Sequence, residues 1–195
     1  MQPWQPLLDF WFGDDSADAP RAARQAPLWW GKSSETDALL THRFGELAEG
    51  AAEGELAHWA EVPVGRLALI LLLDQLPRNI HRDTPAAFAQ DAKARDLCLR
   101  GLSLGADKAL SPLARVFFYL PLEHAESREQ QARSVALFEA LAAEQADGPA
   151  RETFEGFADF ARRHQVIIQR FGRFPHRNAI LGRTSTPEEA EFLQQ

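Results

Sequence analysis

The chain has almost no cysteine, little lysine and no long apolar stretch. Cys98 is the one cysteine in 195 residues. That excludes an intramolecular disulfide framework and a cysteine-held zinc site. The longest wholly apolar run, Leu67 to Leu73, falls far short of the ~18 residues a membrane-spanning helix needs, so no membrane association is expected. No Lys or Arg precedes Arg21 and Asp9 breaks the apolar start. That is not a secretory signal, and a soluble, reducing, cytoplasmic setting is the expectation. Nucleotide and metalloprotease signatures are missing, and the six histidines lack metal-ligand spacing. Neither a cofactor nor a metal is expected.

What is present is acidic overall and uneven. The net charge is −7, yet no acid lies between Asp159 and Glu188. That stretch carries Arg162, Arg163, Arg170, Arg173, Arg177 and Arg183, leaving 15 basic residues against 28 acids elsewhere. Such a segment serves either as an anion site or as an internal partner for the acidic body. The acidic total and the absence of lysine runs argue against nucleic acid.

Helical signals dominate. Pro63, Pro85, Pro112 and Pro187 stand where helices start, and Thr84, Ser111 and Thr186 precede three of them as N-caps. Thr186-Pro-Glu-Glu189 spells a capping box, and Ser34-Glu-Thr-Asp37 approaches one. Phe154, Phe157, Ala161, His164, Ile168 and Phe171 form one apolar seam ending at Gly172. His164 on that seam reads as a buried core histidine. Helices are also expected over 34–52, 92–100 and 127–145, and the 67–73 run reads as a buried helix. Gly101-Leu-Ser-Leu-Gly105 matches a nucleophile elbow in letters only. No strand precedes it, and its glycines read as helix terminators. Pro63-x-x-Arg66 and Pro112-x-x-Arg115 each lead through an apolar run to an acid eight residues on, Asp74 and Glu123. This echo suggests stacked helix pairs. The expectation is an all-α domain spanning 1–195, with seven to nine helices stacked in the manner of an α-solenoid.

Four segments occur in order: Asp9-Phe-Trp-Phe-Gly13, Asp74-Gln-Leu-Pro-Arg-Asn-Ile80, Phe118-Tyr-Leu-Pro-Leu-Glu-His124 and Phe171-Gly-Arg-Phe-Pro-His-Arg-Asn-Ala-Ile-Leu-Gly-Arg183. Together they resemble the bacterial domain of unknown function 924. The resemblance implies a helical fold similar to tetratricopeptide repeats, and no reaction. The chain departs from the family pattern at Leu76 and His81, where Phe is usual, and at Ala125, where Ser is common.

The candidate site follows from charge and loops. Pro77-Arg78-Asn79 is echoed by Pro175-His176-Arg177-Asn178, and both follow apolar helices. Arginine forks, histidine and loop amides are what a carboxylate or phosphate requires. Arg66 and Asp74, like Arg115 and Glu123, oppose the helix dipole and so need partners elsewhere. Glu123 and His124 lie just past Pro121, where a helix must kink or end. The expected site comprises Asp74, Arg78, Asn79, Glu123, His124, Arg173, His176, Arg177, Asn178 and Arg183. The first expectation is a binding module for a small anionic ligand or an acidic peptide end. A second is an enzyme using Glu123, His124 or Asp74 as acid and base in the same pocket. A third is a solenoid that only docks a protein partner.

Overall fold

In a computed structural model, residues 2–14 and 17–194 are described. They form helices and turns, with no strand among them. The helices are α1 (Gln5–Phe12), α2 (Asp18–Trp30), α3 (Ser34–Glu53), α4, α5 (Asp91–Ser103), α6 (Pro112–Glu123), α7 (Arg128–Ala143), α8 (Pro149–Phe171) and α9 (Pro187–Phe192). Helix α4 runs through three parts: Pro63–Ile70, a π-helical turn Leu71–Gln75, and Leu76–Ile80. Counted so, the described residues hold nine helices, and the chain is all-α.

The starts follow the expected chemistry with two corrections. The Thr186 capping box forms on both sides, and Ser111 accepts from Ala114 N–H. The cap of α3 is Ser33 rather than Ser34. Thr84 caps nothing: its hydroxyl donates to the His81 carbonyl, and Pro85–Phe88 is a single tight 3-10 turn. Helix α8 buries Phe154, Ala158, Ala161 and Ile168, and stops at Gly172 with φ +73°, a value glycine adopts without steric cost.

One buried cluster runs from Leu7 to Ala161. Helices α4 and α6 pack against each other inside it, and each is apolar almost all round, as a central helix must be. The Asp9–Gly13 segment lies over α6. Trp11, Phe12 and Trp29 all meet Phe117 edge-on, with centroids 5.7, 5.5 and 4.7 Å away, the geometry the ring quadrupole favours. Helix α5 approaches closely at Gly101, where a Cβ would stand 2.4 Å from Phe118 Cζ and 2.7 Å from Arg66 Cδ. Gly101 is therefore a close-packing residue within a helix and not a terminator. Gly105, at φ +67°, follows the helix. Ser103 sits in the last turn of α5 and bonds the Arg100 carbonyl, with no strand-to-turn elbow.

The π turn in α4 has a local cause. Pro77 offers no N–H to the Leu73 carbonyl and its ring crowds that carbonyl, so the preceding turn widens. Asp74 lies on the widened turn.

Candidate functional site

The ends of the two central helices meet. Asp74 is fully buried, and its carboxylate lies 2.8 and 2.9 Å from His124 Nδ1. Gln75 Nε2 donates to the same carboxylate at 2.6 Å, and Arg78 Nη1 stands 3.5 Å away. Burial alone would raise the Asp74 pKa, but Arg78, His124 and Gln75 outweigh burial and hold it well below the ordinary range. Burial and Arg78 together push the His124 pKa down against the pull of Asp74. A neutral imidazole beside an ionised carboxylate must carry its proton on Nδ1, which leaves Nε2 as the acceptor.

Glu123 is buried beside this pair. Its pKa rises to about 8, first through desolvation and then through the Asp74 charge. Its Oε1 is 3.1 Å from His164 Nδ1, which also lies 2.9 Å from the Phe160 carbonyl. Burial lowers His164 to about 4, so both groups are uncharged near neutrality. His164, expected as a core residue, is only partly buried and belongs to this polar cluster.

The two Pro-Arg-Asn echoes converge through their arginines. Arg78 donates two parallel bonds to Asp91, at 2.9 and 3.0 Å, and Arg177 Nη1 reaches the same carboxylate at 3.5 Å. Arg177 is sandwiched between Phe174 and Phe88, 4.5 and 4.7 Å from the ring centroids. It also donates to the His124 carbonyl at 3.1 Å, while its Nε has no partner. Burial and the neighbouring Arg78 charge lower its pKa to about 10. Arg78, Arg82, Asp83, Phe88, His124, His164, His176 and Arg177 line a cleft of about 230 Å³. A second space of about 350 Å³ lies between His124, Arg177, Asp91 and Glu126. A third, of about 340 Å³, is walled by aromatic rings and by Glu123, His124 and His164. His124 borders all three.

Other expected residues go elsewhere. Asn79 donates to Asp37, which Arg82 also clamps at 2.6 and 2.8 Å. Arg173 and Asn178 both bind Glu189 of α9. Arg183 holds Glu126 at 2.7 and 3.0 Å and the Phe174 carbonyl. These contacts pin the C-terminal segment in place. The expectation that this segment pairs internally with the acidic body is met by Arg162, Arg177 and Arg183, whose partners are Glu139, Asp91 and Glu126. It is corrected for Arg170 and Arg173, whose partners are Glu188 and Glu189.

The charges that oppose helix dipoles also find different partners. Arg66 donates to the Ala60 and Leu97 carbonyls, and Arg115 pairs with Glu144. No motif pointed to Asp91 or Phe88. Asp91 opens α5, where an acid is ordinary, and only its neighbours in space make it a hinge between two arginines.

No curated protein matches the chain. A solved structure of a protein of unknown function from Agrobacterium tumefaciens is similar, with 38% identity over 97% of this chain and 96% of that one, and a TM-score of 0.80. The family model described as "Bacterial protein of unknown function (DUF924)" matches residues 7–195. The chain belongs to that family.

Proposed function

We propose that the chain binds a small anionic ligand in the cleft between the end of α4 and the Pro175–Arg177 turn. The observation that carries this reading is the state of Arg177. It is 6% exposed, its Nε is unbonded, and the carboxylate it bonds, Asp91, is already gripped by Arg78. A buried guanidinium with an unused donor and a shared counter-ion gains from a second anion. His176 and Arg78 line the same space and add further donors.

The experiment is titration of carboxylates and inorganic phosphate, read by calorimetry or by NMR shifts of the His176 ring. Arg177→Met keeps the bulk over Phe88 and removes the charge. A charge-assisted contact of about 1.5–3 kcal/mol sets the expected loss at roughly tenfold to a hundredfold. Equal binding by the variant overturns the reading.

The Asp74–His124 pair favours a second reading, in which the cleft is catalytic. A buried carboxylate fixing one imidazole tautomer, with the other nitrogen left as acceptor, suits a general base. In this reading the acid is neutral Glu123, which lines the adjoining aromatic cavity. Under this reading His124→Gln abolishes turnover of a bound ligand while binding persists. Under simple binding, no product forms with either protein.

A further inference from the structure

The cleft does not stand alone. Behind His124 and His164 lies the aromatic cavity of about 340 Å³, whose apolar walls are Trp30, Val116, Leu120, Phe138, Phe157 and Phe160. The same two histidines wall the basic cleft. Their ring centroids are 6.4 Å apart, and both rings border both spaces, so the cavity and the cleft adjoin along these two side chains.

We infer that the ligand is an amphipathic anion, with a carboxylate- or phosphate-type head in the Arg177 cleft and an apolar body in the aromatic cavity. This rests on the anion reading above and adds the chemical class. Three observations carry it. The cavity is large enough for such a body. An apolar cavity of about 150 Å³ holds benzene, so one more than twice that size accepts two fused rings or a short branched chain. Trp30 and Phe160, 50% and 57% exposed, stand in the cavity wall. Large half-exposed rings around a concave space are the usual lining of an apolar ligand site. The polar groups at the inner end, Glu123 and His164, are paired with each other, and both are uncharged near neutrality. No bare charge therefore faces the body of the ligand, while Arg177 faces the head.

The test uses three probes: acetate, which has only the head; naphthoate, which has head and body; and naphthalenemethanol, which has only the body. Binding is followed by calorimetry and by fluorescence of Trp30, with a Trp30→Phe control. Burying a two-ring body should tighten naphthoate over acetate by about a hundredfold. Leu120→Phe narrows the cavity, and Phe160→Ala removes a mouth residue without hollowing the core. At least one of these should weaken naphthoate about tenfold and leave acetate unchanged. Arg177→Met should weaken both carboxylates.

If naphthoate binds no tighter than acetate, or ignores both cavity variants, the amphipathic assignment fails, while Arg177-dependent acetate binding keeps the anion reading alive. If naphthalenemethanol binds as tightly as naphthoate, the cavity takes neutral molecules and the assignment fails as well. If no anion shows dependence on Arg177, both readings fall together.

Discussion

His124 Nδ1 and the Asp74 carboxylate are 2.8 Å apart, though fifty positions separate them in the chain. Each sits where a proline disturbs its helix, Pro77 three residues after Asp74 and Pro121 three before His124. The contact joins the ends of the two central helices and fixes the ring that faces every cavity of the site.

Asp74→Asn should therefore be costly. Arg78 would lose the buried one of its two counter-ions and His124 its acceptor. Breaking a buried ion pair by removing one partner costs about 3–5 kcal/mol. Urea unfolding should show a loss of that order. Nitrogen shifts of His124 should change from the single Nδ1-protonated form to a mixture of tautomers. An unchanged tautomer would show that Asp74 does not set it.

Glu123→Gln should alter the pH dependence of stability. The native carboxyl keeps its proton up to about 8, whereas the ordinary value is 4.5. Between those values the native state holds a proton that the unfolded chain gives up. Stability therefore falls as pH rises through this window, by at most about 1.4 kcal/mol per pH unit. The lowered values of His124 and His164 act in the opposite sense below about 6.5, so the difference between wild type and variant isolates Glu123. The change in denaturation midpoint from pH 5 to pH 8 should be more negative in the wild type than in Glu123→Gln. Parallel profiles would show that the carboxyl is ionised in the native state.

Gly101→Ala should destabilise despite the better helix propensity of alanine. Its methyl would press on Phe118 and on the stem of Arg66, both fixed by packing. Overpacking costs about 1–3 kcal/mol, against a propensity gain of about 1. A net loss near 1 kcal/mol is expected in thermal or urea melts. A stabilised variant would mean that α5 shifts freely.

Arg173→Ala should separate the latch from the ligand site. Arg173 ties Glu189 and the Thr184 carbonyl, so its loss frees α9. Amide exchange in 184–194 should rise several-fold, with α4 and α6 unchanged. Anion affinity should hold. A fall in affinity equal to that of Arg177→Met would place Arg173 in the ligand's reach after all.

The sequence by itself determined the helices. Proline at a first turn, a hydroxyl before it and glycine after the last turn are local chemistry, acting within four or five residues. That is why the starts of α4, α6 and α9 and the stop of α8 were legible. The seam of α8 was legible too, because its period needs no knowledge of what covers it. Only the tertiary structure decided which charge does what. Arg173, Arg177 and Arg183 look alike along the chain. Their fates depend on whether Glu189, Asp91 or Glu126 stands opposite, and those distances arise from packing across 16, 86 and 57 positions of sequence. His164 shows the same limit. Its place on an apolar seam is a local fact, but the Glu123 that pairs with it and most of the cavity wall beside it come from other helices. An electrostatic partner is set by proximity in space, which helix periodicity does not encode.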